Sequence, residues 1–161
     1  MAKYSRDLDP TLVEKVTTLA QQFGFKENGV KLEPIRLKKG KTYGVVLQPN
    51  EVSKVFSDGL DSVVAVALYE DLFNQLDDQT QTVLIENLLE QILMQEDKEG
   101  NIKVKIEKPQ LNLGLFTYHR YGNIATQKLE AVILTLDQMA EQEKAEKEAK
   151  KAQKREKKEK N

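Results

Sequence analysis

Asn87-Leu88-Leu89-Glu90-Gln91-Ile92, the run NLLEQI, sits inside LDDQTQTVLIENLLEQILMQEDKEGN, residues 76–101, and its reading decides the fold. At 100° per residue, Leu84, Ile85, Leu88, Leu89 and Ile92 share one face of a helix, with Asn87 and Gln91 four apart at its edge. The same wheel turns Glu86 and Glu90 toward solvent. Asp77 or Asp78 can accept hydrogen bonds from the free amides of the first turn, so the pattern predicts a capped helix from about Gln79 to Gln95. An EDKEGN turn then leads into Ile102–Ile106, where isoleucine and valine alternate with lysine as in a half-exposed strand.

Upstream, SVVAVALY at residues 62–69 is continuously apolar and rich in β-branched residues, which predicts the central and most buried strand. The segment from Val30 to Arg36 alternates and reads as a second strand, and Tyr43 to Gln48 as a third. Between them and the central strand, Pro49 and Asn50 open a short helix carrying Val52, Val55 and Phe56. A first helix begins at Asp9-Pro10, where Asp9 caps and Pro10 suits the first helical position, and Gly24 ends it. Downstream, Pro109 opens a helix running to Tyr121, closed by Gly122. From about Ala125 the pattern is helical again, with Leu129, Val132, Ile133, Leu136 and Met139 as its apolar stripe.

The resulting expectation is an α+β fold: a small mixed sheet of three or four short strands, helices on one face, and a long charged C-terminal helix projecting away. A chain of 161 residues fits one domain, here placed at residues 1–139, with 140–161 as a charged tail, helical or disordered. Past Met139 no large apolar side chain remains. Glu143 with Lys147 and Glu146 with Lys150 stand at the four-residue spacing of helix-stabilising pairs, each worth about 0.2 to 0.5 kcal/mol.

The chemistry available is thin. The chain has no cysteine and one histidine, His119, so disulfides, thiolate zinc sites and cysteine nucleophiles are excluded. His119 stands without a partner and reads as a surface or helix-end residue. Asp61, Glu70, Asp71, Asp77 and Asp78 lack the loop spacing of a calcium or magnesium site. No apolar run reaches the roughly 18 to 20 residues of a membrane span, and the N-terminus lacks the apolar core of a signal peptide, so a cytosolic protein is expected. Net charge is −1. Residues 141–161 hold nine lysine or arginine against six glutamate, about +3, which leaves the remainder acidic. Nothing in the globular part reads as a nucleic-acid footprint, and nucleic acid is not among the expected partners.

Asn87 and Gln91 are spaced as the two histidines of a zinc-protease helix, in which a glutamate after the first histidine serves as general base. Around them the run Leu76 to Gly122 resembles the phage metallopeptidases, a small zincin-like family. There, an LD-type cap and an H-E-x-x-H helix are followed by an acidic, glycine-containing turn, a short strand, a Lys-Pro-His-Asp-like motif, an aromatic residue and a Tyr-Gly ending. This chain carries Leu76-Asp77, the helix, Glu96 to Asn101, Lys108-Pro109, Phe116 and Tyr121-Gly122 in that order. With the earlier helix and strands, the resemblance covers about Lys3 to Gly122. It implies a zincin-like fold and a zinc site whose histidine positions fall on Asn87, Gln91 and Gln110, with the catalytic carboxylate at Leu88.

All four positions have lost that chemistry. Amide oxygens are poor zinc ligands beside imidazole, and leucine cannot deprotonate a bound water. Asn87 and Gln91 are then either polar residues bordering a core or a vestigial pocket in which amides bond each other, Gln110 or water. The expectation is a non-catalytic, zincin-like phage protein without a cofactor, a structural or binding module in the virion or the infected host's cytoplasm. Its partner would be a protein, with Leu129, Val132, Ile133, Leu136 and Met139 as the contact stripe and self-association through the C-terminal helix. The alternatives are a zinc-dependent metallopeptidase and a small regulatory protein that binds a host factor.

Overall fold

The computed structural model describes residues 3–56, 63–108 and 115–159. In chain order the elements are β1 (Tyr4–Ser5), α1 (Pro10–Ala20), β2 (Lys31–Leu37), β3 (Gly44–Leu47), α2 (Pro49–Val55), β4 (Val63–Tyr69), α3 (Glu70–Phe73), α4 (Asp78–Leu89), β5 (Ile92–Glu96), β6 (Ile102–Ile106), α5 (Leu115–Tyr121) and α6 (Asn123–Glu159). A single 3-10 turn, Gln21–Phe23, follows α1 and ends at Gly24, whose φ of 70° is the left-handed conformation that glycine tolerates best. The architecture is α+β, as expected.

Four strands form a mixed sheet in the order β1-β2-β4-β3. β4 is parallel to β2, with Ile35 opposite Ala67, and antiparallel to β3, with Val46 opposite Val66. It is central, and Val63 to Leu68 are all buried. A strand covered on both faces has no reason to alternate, which is why SVVAVALY is continuously apolar. Val64, Val66 and Leu68 belong to one core with Leu12, Val16, Leu84, Ile85, Leu88, Leu89, Leu129 and Val132. Ala65 and Ala67 meet Ile35, Leu37, Leu47 and Val52 in the other. Helices therefore cover both faces. The expectation of helices on one face alone is corrected by α2, whose Val52 is fully buried against the opposite side of the sheet.

The central helix is shorter than its sequence suggests. Asp77 caps it, accepting from Thr80 N at 2.9 Å, but α4 ends at Leu89 and not near Gln95. Ile92–Glu96 is a strand, paired antiparallel to β6 with Ile92 opposite Ile106 and Met94 opposite Val104. In Ile92, Leu93 and Met94 a period of two competes with one of 3.6, and a run this short cannot decide between them. The turn decides: Asp97 accepts from the amides of Glu99 (2.9 Å) and Asn101 (3.0 Å), and Gly100 adopts φ 81°. A hairpin can then pair the backbone of both strands.

α6 is one helix of 37 residues, so residues 140–159 continue it without a break. Its first half is not free to project: Ala125, Leu129 and Val132 are buried in the core, with Leu136 and Met139 half-buried against it. Past Met139 the helix faces the β2–β3 loop across a cavity. Ala140, Gln142, Glu143, Lys144, Glu146 and Lys147 line a cavity of about 770 Å³ shared with the β2–β3 loop, Lys38 to Lys41. Glu143 and Lys147 form an ion pair at 2.8 Å, and Lys147 first, with Lys39 adding a weaker pull, holds the Glu143 carboxyl below its ordinary value. Among the described residues, Glu146 and Lys150 form no such pair.

Candidate functional site

The end of α4 lies under β3 and beside α6. Gly44 opens β3, and a Cβ there would come within 2.6 Å of Leu88 Cδ1 and 2.8 Å of the Ala67 carbonyl oxygen. Strand and helix approach as closely as they do because position 44 has no side chain. Leu88 is 1% exposed and part of the main core. Asn87, the first of the polar pair, is fully buried and donates from Nδ2 to the Tyr43 hydroxyl at 2.6 Å. Burial raises the Tyr43 pKa, against the lowering effect of the Asn87 bond, so the phenol stays neutral. Gln91 lies just beyond the helix and donates weakly from Nε2 to the Asn87 carbonyl oxygen at 3.4 Å. The structure brings Asn87, Leu88 and Gln91 together, while Gln110 lies outside the described residues.

Beside them is a cavity of about 380 Å³, lined by Lys41 to Val46, Leu88, Gln91, Lys108, Leu129, Ile133 and Leu136. Its walls are mainly apolar, with a phenol and an amide on one side and two ammonium groups to place on a ligand. β3, the last strand of the sheet, forms one wall. Of the expected contact stripe, Leu129 and Val132 are buried, Leu136 and Met139 are partly covered by the chain's own core, and Ile133 is 40% exposed at the cavity. Among the described residues, no three histidine, cysteine or carboxylate side chains come together to hold a metal ion.

The carboxylates that the sequence places close together have separate structural uses. Glu70 and Asp71 face Arg36 at 3.5 Å each, Asp77 caps α4, and Asp78 pairs with Lys15. Asp61 lies outside the described residues. His119 is exposed on α5, as expected.

One polar centre escaped the helical wheel. Glu86 is fully buried, not solvated. Its carboxylate accepts from Gln22 Nε2 at 2.8 Å and from the Tyr121 hydroxyl, and Arg120 approaches at 3.4 Å. One turn on, Glu90 accepts from the Thr117 amide at 3.2 Å and its hydroxyl at 2.9 Å. Thus α5 and the start of α6 cover the face that should have met water. A hint of this is Val83, which is buried although it lies off the main apolar stripe, on the side of Glu86.

The Tyr121 pKa is pushed up to about 12, first by desolvation and then by its bond to Glu86 and that residue's charge. A raised pKa means that the folded state holds the phenolic proton more tightly. The associated stability is complete below pH 10 and is lost between about 10 and 12. Tyr121→Phe should flatten that part of the alkaline unfolding profile in pH-jump fluorescence or circular dichroism. An unchanged slope would show that the phenol titrates freely.

Comparison with known families, with curated proteins and with solved structures finds no match to this chain. Fold and site define a small α+β protein with a partly apolar cavity at the end of its central helix. No helix among the described residues is long and apolar enough to cross a membrane.

Proposed function

We propose that the chain is a non-catalytic binding module, a zincin-like phage protein whose cavity grips a segment of a protein partner in the virion or the infected host. The observation that carries this reading is the composition of the 380 Å³ cavity beside Asn87, Leu88 and Gln91. Tyr43, Val46, Leu88, Leu129, Ile133 and Leu136 can bury apolar side chains, and Gln91, Lys41 and Lys108 can bond carbonyl or carboxylate oxygens. Among its described lining residues there is no histidine or carboxylate. An extended segment bearing apolar and acidic residues fits this chemistry, and a terminal strand such as β3 offers backbone groups to such a segment.

Ile133 is the residue to probe, because its partial exposure lets the fold survive a change. Ile133→Glu should keep the melting temperature within a few degrees and lose a partner that the wild-type chain retains from infected cells. Retention of every partner by the variant would discard the cavity as the binding site. The non-catalytic half has its own test: a strong chelator should leave the melting temperature unchanged, and purified protein should carry no stoichiometric zinc. A drop of many degrees would mean that metal binding contributes to folding and that the zinc-dependent alternative holds.

A further inference from the structure

The far end of α6 has a property that residue counts conceal. At about 1.5 Å per residue the helix is roughly 55 Å long, and Glu143 to Lys147 face the Lys38–Lys41 loop across a shared cavity. From Glu148 to Arg155 every side chain is exposed. Basic residues gather on one side along this length. Lys147, Lys150, Lys151, Lys154 and Arg155 fall within an arc of about 140° on the helical wheel, and Ala149, Ala152 and Gln153 take the opposite side. Glu143 lies on the same face a turn back, where it pairs with Lys147, and Glu148 borders the arc beside Arg155. Among the described residues, Lys150, Lys151, Lys154 and Arg155 form no ion pair. Over residues 147–155 the helix therefore presents a one-sided row of cations, on a chain whose remaining residues carry net negative charge.

We propose that this basic face binds the phosphodiester backbone of nucleic acid without regard to sequence. Three features favour that partner over other anions. The first is that a stripe of lysine and arginine along one helix face can neutralise successive phosphates and release their counterions, which needs charge alone. The second is that no apolar side chain larger than alanine follows Met139, so the segment has nothing to insert beneath lipid headgroups. The third is that it lacks the aromatic and large aliphatic anchors that dominate protein–protein contacts. An α-helix with its side chains is about as wide as the major groove of a duplex, which also admits it to double-stranded partners. The inference stands apart from the cavity and does not depend on it.

The test is fluorescence anisotropy of the full chain with a labelled 20-base-pair duplex and a 20-nucleotide single strand of unrelated sequences. Binding at 50 mM salt should weaken about a hundredfold by 200 mM, the slope expected for roughly four phosphate contacts. The variant K150Q/K151Q/K154Q/R155Q should lose it, with helix content by circular dichroism unchanged. A control of equal charge change on the body, K26Q/K31Q/K98Q/K105Q, should keep most of it. No binding at 50 mM, equal binding by the tail variant, or tighter binding to anionic vesicles or to a polyglutamate peptide of matched charge would each overturn the proposal. The duplex and single-strand arms state which form of backbone is preferred.

Discussion

Leu88→Ala should lower the unfolding free energy by roughly 2 to 5 kcal/mol, toward the upper end of what a buried leucine costs. Three facts place it there. The side chain is 1% exposed, it lies in the core that joins α4 to Val64, Val66 and Leu68, and its Cδ1 fills the space that Gly44 leaves open. Collapse around the hole is hindered because strand and helix are already at closest approach. Urea unfolding followed by circular dichroism measures the loss. A value below about 0.5 kcal/mol would mean that this face opens to solvent and that the cavity beside it is wider than the geometry indicates. Gly44→Ala is the complementary change: its methyl group would press on Leu88 and on the Ala67 carbonyl, costing roughly 1 to 3 kcal/mol as overpacking. The double variant should lose less than the sum, because shortening Leu88 relieves one of the two clashes.

Glu86→Ala should cost roughly 2 to 3 kcal/mol, although the helical wheel alone would make it a neutral surface change. The carboxylate is fully buried and is the shared acceptor for Gln22, Tyr121 and Arg120. Its removal leaves a void in α4's covered face and takes the acceptor from the Tyr121 hydroxyl. The estimate lies below the full cost of an orphaned buried charge because Arg120 is about half exposed and can rehydrate. Glu86→Gln keeps the shape and one acceptor oxygen, so it should cost about half as much. Equal stability of Glu86→Ala and wild type would show that α5 does not seal this face. The α5 amides should then exchange with solvent at the rate of an open segment.

The two variants also separate what each level of information reaches. Local chemistry in the sequence was enough for the capped starts of α1 and α4, because Asp9, Pro10 and Asp77 act within one turn of chain. The buried strand β4 was legible too, since only a strand covered on both faces carries six consecutive apolar residues. The pairing of Asn87 with Gln91 at the cavity was partly legible, because residues four apart share a helix face. Leu88 could be placed in the core for the same reason.

Other features depend on residues distant in sequence. The end of α4 at Leu89 was settled by β6, which supplies the hydrogen-bond partners that turn Ile92–Glu96 into a strand; a run of three apolar residues has no period of its own. The burial of Glu86 depends on Gln22, Arg120 and Tyr121, more than thirty positions away on either side, and a helical wheel holds no term for what packs against it. Tyr43 reaches Asn87 only because Gly44 lets β3 approach the helix, so the buried phenol–amide pair could not be read from either segment alone. The sequence by itself determined most of the elements, their caps and the poverty of catalytic groups, all of which follow from short-range sterics and composition. Only the tertiary structure decided which polar side chains are buried and how far α6 stays docked, because those depend on contacts between segments remote along the chain.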